Sequence, residues 1–161
     1  MGSHLYSGIP RESDYKELIK SRKYLDLDFY SAQFLENHGS DLANYARKWV
    51  SSPLHQWSRK WEYPYVFDQL SSVLNKKDSA MILDAGSGVS FFPYYILSKY
   101  PAASVHCVDS NPKLSEIYRG INQKSDGKVE FRISDLRELE YPGETFDLIY
   151  CISVLEHTDS Y

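Results

Sequence analysis

From residue 80 onward, short apolar runs alternate with segments whose apolar residues recur at helical spacing. "AMILD" (80–84) reads as a strand, followed by a helix over "SFFPYYILSKY" (90–100) that Pro101 closes. "SVHCVD" (104–109) predicts a second strand, and "PKLSEIYRGINQK" (112–124) a helix opening after Asn111. A third strand over "KVEFRIS" (128–134), a short crossover over "DLRELEY" (135–141) and a fourth strand over "FDLIYCIS" (146–153) complete the pattern. Uninterrupted apolar strands separated by helices predict a parallel sheet covered on both faces, with right-handed crossovers.

Residues 11–77 carry helical patterning only. Ser13 can cap a segment holding Tyr15, Leu18, Ile19 and Leu25, and a second is predicted from about Asp28 to Gly39. Ser40 or Asp41 then caps "LANYARKWV", Ser52-Pro53 restarts a helix through "LHQWSRKW", and Pro64 opens "YVFDQLSSVL". The expected organisation is therefore a tag remnant over residues 1–4, a helical arm over 5–78 and an α/β core over 79–161.

Composition narrows the functional classes. In 161 residues, 42% hydrophobic, a core can be buried, and a net charge of −4 gives no electrostatic reason to expect nucleic acid or an anionic membrane. No apolar run approaches the ~20 residues of a membrane helix, and no secretory signal precedes the first charges. Cys107 and Cys151, both within expected strands, read as reduced core residues of a cytoplasmic protein.

The chemistry concentrates where strands end. Asp84, Asp109 and Asp135 each follow a β run and precede a helical segment, at the edge where parallel sheets bind ligands. Any one of them could be a helix cap; three in succession point to a site as well. Gly86 and Gly88 let the backbone turn tightly and approach a ligand. A dinucleotide fingerprint needs a third glycine, but Phe91 stands there, and Asp84 would repel a pyrophosphate. Asp109, 21 residues after Gly88, is placed to bind ribose hydroxyls. The expected ligand carries a ribose, a cationic group and no phosphate.

These residues resemble the class I S-adenosylmethionine-dependent methyltransferases, in the small-molecule group of methyltransferase types 11 and 12. "DAGSGVS" (84–90) is similar to that family's first motif, D/E-x-G-x-G-x-G, with Ser90 replacing the last glycine. The resemblance continues through Val108-Asp109, "RISDLREL" (132–139) and "FDLIYCISVLEHT" (146–158). It implies a Rossmann-like fold and a cofactor, S-adenosyl-L-methionine, with S-adenosyl-L-homocysteine as product. Asp84, Ala85, Gly86, Ser87 and Gly88 would cradle its amino-acid end. Asp109 and Ser110 would bind the ribose, Ser134, Asp135 and Leu136 the adenine, and Cys151 would line the methionine tail. The implied reaction is methyl transfer to an O or N atom of a small-molecule acceptor.

Glu156 and His157 follow the fourth strand, and His157 could take a proton from an acceptor; capping and orienting the loop is the other reading. The loop resembles that of ubiquinone-pathway O-methyltransferases, whose metal site uses an acid three residues earlier; Ser153 stands there, so no metal is expected. Trp49, Trp57 and Trp61 either dock the helical arm on the sheet or form a lid, with Arg59 or Tyr63 reaching the methionine carboxylate. Arg47-Lys48 and Arg59-Lys60 read as a solvated face. The family sheet has seven strands ordered 3-2-1-4-5-7-6, of which four are seen. At ~30 residues per strand-helix unit, roughly 80 residues would be absent. A fragment with a bare fourth strand is then expected, and a homodimer could form through that edge. Two rival functions stay open: a cofactor-binding module without turnover, and a nicotinamide-dependent reductase, which Phe91 and Asp84 oppose.

Overall fold

The alternation beginning at residue 80 folds as expected, as a four-stranded, all-parallel sheet whose strands, numbered along the chain, lie in the order 3-2-1-4. The computed structural model describes residues 8–43, 45, 54 and 58–155. The strands are β1 (Ala80–Ala85), β2 (Ala103–Asp109), β3 (Glu130–Ile133) and β4 (Leu148–Tyr150). Between them lie α4 (Phe92–Lys99), α5 (Leu114–Lys124) and a 3₁₀ turn at Leu136–Glu138. Strand order reverses between β1 and β4, so the switch point falls at the end of β1.

Two compact units divide the chain, one reaching to Lys76 and the other starting at Lys77. In the second unit β1 is the central strand, with Ile82 and Leu83 almost without exposure. Leu83, Ala85 and Val108 pack under Leu136, Leu139, Tyr141 and Phe146 on one face of the sheet. Asp147 ties β4 to the start of β1: its carboxylate accepts from the Met81 amide at 2.8 Å and from Lys77 at 2.6 Å.

β4 is shorter than its apolar run suggests. It ends at Tyr150, and Cys151 is exposed just beyond it, which corrects the expectation of a buried strand cysteine. Ser153 adopts φ +51°, so the chain has left the sheet direction by that point. Cys107 is buried in β2 as expected.

The first unit contains α1 (Glu12–Leu18), α2 (Arg22–Leu42) and α3 (Arg59–Leu74). Here the breaks predicted at Gly39 and Pro64 do not occur. α2 is capped by Ser21, whose hydroxyl accepts from the Tyr24 amide, and runs through Gly39 because buried Phe34, His38 and Leu42 keep one face packed. α3 contains Pro64, itself buried, and burial of Trp61, Tyr63 and Leu70 offsets the one hydrogen bond the ring removes. Trp61 meets Tyr15 edge-to-face at 5.9 Å, and Lys23 pairs with Asp68. Arg59 pairs with Glu62 and is only one-fifth exposed, which corrects its reading as a solvated residue. Trp49, Trp57, Arg47, Lys48 and residues 1–4 lie outside the described residues. No described helix is long and apolar enough to cross a membrane.

Ile82→Ala should lower stability by about 2–5 kcal/mol in urea unfolding, because β1 is closed on both faces. Ile149→Thr, at a β4 position that is 63% exposed, should change it by less than about 0.5 kcal/mol.

Candidate functional site

β1 ends in a turn that β2 holds from the side. The amides of Gly86 and Ser87 both donate to the Val108 carbonyl, at 2.8 and 2.9 Å. The Gly88 amide donates to Asp109 Oδ2 at 2.9 Å, while Asp109 Oδ1 accepts from the Asn111 amide at 2.9 Å. Such a reversal requires left-handed backbone, and Gly86 (φ +75°) and Gly88 (φ +51°) supply it. A Cβ on Gly86 would also lie 2.5 Å from Val154 Cγ1, so the segment after β4 packs directly on the turn. Ser90, in place of the family's third glycine, is buried, and its hydroxyl accepts from the Phe92 amide at 3.3 Å where α4 begins.

Beneath the turn, three side chains form a row across neighbouring strands. Cys107, Asp84 and Tyr150 are paired in register, so all three project from the same face of the sheet. Asp84 is 5% exposed, and the Tyr150 hydroxyl donates to its Oδ2 at 2.9 Å. Burial pushes the Asp84 carboxyl up to about 7; the Tyr150 bond opposes that rise and the neighbouring Asp109 charge adds to it. Burial likewise holds the Cys107 thiol and the Tyr118 and Tyr150 phenols well above their ordinary values, so all three stay protonated. Tyr118, from α5, donates to the Gly88 carbonyl at 3.0 Å and stacks on Phe131 at 4.6 Å.

The three acids expected from the strand ends are thus brought to one edge of the sheet on adjacent strands. Asp84 and Asp109 interact electrostatically, and the Ser134 amide donates to the Asp109 carbonyl at 3.1 Å, which joins the ends of β2 and β3. Asp135 caps the 3₁₀ turn and accepts from Arg137, whose guanidinium holds the carboxyl down at about 2. Ser110 follows β2 directly, Leu136 opens the 3₁₀ turn, and Ala85 closes β1. Cys151 leaves β4 at the same edge. Glu156 and His157 lie outside the described residues. Sequence reasoning missed the hydroxyls of Tyr118 and Tyr150. Both residues read as ordinary core aromatics, and only the pairing of Tyr150 with Asp84 shows the role.

What the turn offers a ligand follows from which groups are engaged. Three successive amides face β2, so the groups flanking the turn with acceptor capacity are the carboxyls of Asp84 and Asp109. An acceptor-rich edge favours a cationic, hydroxyl-bearing ligand and disfavours a phosphate. A separate groove of about 360 Å³ between α5 and β3 is lined by none of the expected site residues.

The model of the family described as "Methyltransferase domain" matches residues 82–161, the half that carries the sheet and the turn. Residues 82–161 belong to the methyltransferase domain family. The resemblance to class I methyltransferases thus holds for that half. The chain is 26% identical over 118 residues to a release factor glutamine methyltransferase of Koribacter versatilis (strain Ellin345), covering 73% of this chain and 41% of that protein. It is also 26% identical over 151 residues to cycloartenol-C-24-methyltransferase 1 of Oryza sativa subsp. japonica, covering 91% of this chain and 40% of the relative. The chain therefore spans about two fifths of the length of these curated relatives. Among solved structures, the plantazolicin methyltransferase BpumL in complex with SAH overlaps 87% of this chain and 49% of its own, at 21% identity and a TM-score of 0.45. Coclaurine N-methyltransferase bound to N-methylheliamine and SAH overlaps 86% and 50%, at 15% identity and a TM-score of 0.46.

The buried acid makes this methyltransferase domain sensitive to pH. Its carboxyl binds a proton more tightly folded than unfolded, so its contribution to stability is complete below about pH 4 and is lost as pH rises through about 7. Asp84→Asn removes that loss. The variant should be more stable than the parent at pH 8, on the order of 3 kcal/mol, and closer to it at pH 5, as measured by urea unfolding at both values.

Proposed function

We propose that the domain binds S-adenosyl-L-methionine across the ends of β1, β2 and β3 and transfers its methyl group to an O or N atom of a small-molecule acceptor. The observation that carries this reading is the acceptor-rich turn: the amides of Gly86, Ser87 and Gly88 are engaged with β2, between the carboxyl groups of Asp84 and Asp109. A nicotinamide dinucleotide would need those amides for its pyrophosphate. A nucleoside with a cationic tail needs carbonyls and acids.

In this reading Ala85, Gly86, Ser87 and Gly88 line the amino-acid end of the cofactor, with Asp84 beneath it. Asp109 uses its remaining lone pairs for the ribose hydroxyls beside Ser110, since each carboxylate oxygen can accept more than the one amide bond it has. Asp135 would accept from the adenine amine if Arg137 yields one of its bonds, while the Leu136 amide donates to the ring next to Ser134. Cys151 borders the tail. The cofactor brings a methyl already activated on a positive sulfur; the protein's part is to align the acceptor and exclude water. Glu156 and His157 would act on the acceptor, with His157 taking its proton. The names of the relatives concern a release-factor glutamine and cycloartenol, so the choice of a small-molecule O or N acceptor rests on the "SVLEHT" segment.

Calorimetry tests the binding step. S-Adenosylhomocysteine should bind with a 1:1 heat and NAD should give none, while Asp109→Ala should weaken the first by at least about tenfold by removing both the ribose acceptor and the brace on Gly88. Heat with NAD and none with S-adenosylhomocysteine would overturn the assignment.

A further inference from the structure

Asp84 is the most deeply buried acid of the site, and its described hydrogen bond comes from one phenol on a different strand. Tyr150 donates to it at 2.9 Å from β4, and its ring is fixed edge-to-face against Phe92 of α4 at 5.4 Å. Among the described residues, the other titratable groups facing Asp84 are Cys107 and Asp109 of β2 and Tyr118 of α5. None of them is a cation. The thiol and the phenols are neutral, and Asp109 opposes a second negative charge. Among the described residues, Asp84 therefore has one donor to its ionised form and no compensating positive charge.

We propose that Tyr150 is a positioning residue for the cofactor site, holding Asp84 so that arrival of a cationic ligand at the turn expels the proton of that carboxyl group. The inference rests on the reading of the turn as a cofactor site. Before binding, a large fraction of Asp84 is the neutral acid near pH 7. A cationic group beside Gly86 and Ser87 stabilises the carboxylate, the O–H bond breaks, and the proton passes to solvent buffer. One negative charge is created as one positive charge is brought in. Ligand capture and proton release are then linked, and β4 controls the linkage through a single hydroxyl.

The linkage fixes the shape of the pH profile. If the ionised form binds, affinity follows the ionised fraction, which rises from about a tenth at pH 6 to about nine tenths at pH 8. Removing the hydroxyl makes the carboxylate harder to form. The midpoint should then move up by about one pH unit, the usual worth of a hydrogen bond to a charged group.

The experiment is calorimetry of S-adenosylhomocysteine binding between pH 6 and 8.5, in buffers of different ionisation heat, for the parent, Tyr150→Phe and Asp84→Asn. The parent should bind about tenfold more tightly at pH 8 than at pH 6 and release a proton at pH 6.5. Tyr150→Phe, which keeps the ring, should bind about fivefold more weakly than the parent at pH 7 and approach it at pH 8.5. Asp84→Asn should show a flat profile and no proton release, which keeps the test decisive if the phenylalanine variant does not fold. A parent profile flat from pH 6 to 8, or one that Tyr150→Phe leaves in place, would overturn the inference while leaving the cofactor assignment standing. Absence of binding by the parent at every pH would overturn both.

Discussion

A single acid buried at the end of the central strand sets the terms for the rest of this domain. Asp84 sits on the helix-covered face of the sheet, in a row with Cys107 and Tyr150, and one phenol hydroxyl reaches it from β4. An ionised carboxylate in such surroundings is costly unless hydrogen-bonded or paired. Among the described residues that hydrogen bond is present and no cation faces the acid, and burial raises its carboxyl to about 7. Above it, the turn commits its amides to β2 and presents acceptors. In the proposed reading, acid and turn together select the charge of the cofactor's tail.

The turn above the acid is tied to its neighbours by several hydrogen bonds. Val108 receives two amides of the turn, Asp109 receives a third, and Tyr118 fixes the carbonyl of Gly88 from α5. Val154 closes over Gly86 from the segment after β4. Each of the four strands thus contributes directly or through its following loop: β1 the acid, β2 the clasp, β3 the joined end at Ser134, β4 the phenol. Asp109, proposed to bind the ribose, also holds the turn, since it already accepts two amides.

Much of this was legible in the sequence because parallel strands buried on both faces leave an unbroken apolar signature. The runs at 80–84 and 104–109 mark β1 and β2 closely, and the glycines at 86 and 88 both take the positive φ that the turn needs. The helical half was harder to divide. Gly39 and Pro64 look like punctuation, yet packing of Phe34, His38, Trp61 and Leu70 carries the helices through them, a tertiary override of local preference. β4 was read too long because "YCIS" is apolar, while an edge strand ends where its pairing with β1 ends. The roles of Tyr118 and Tyr150 left no trace in spacing. A buried tyrosine on a helix face or a strand reads as volume, and only register shows where its hydroxyl goes.

The most direct measurement of the central claim is a pH titration of the Asp84 carboxyl carbon by NMR, in protein labelled at that position and without ligand. A single transition centred near pH 7, displaced downward when S-adenosylhomocysteine is added, is the predicted result. A transition near pH 4, the ordinary range of an exposed aspartate, would show that the acid is solvated and would contradict the account.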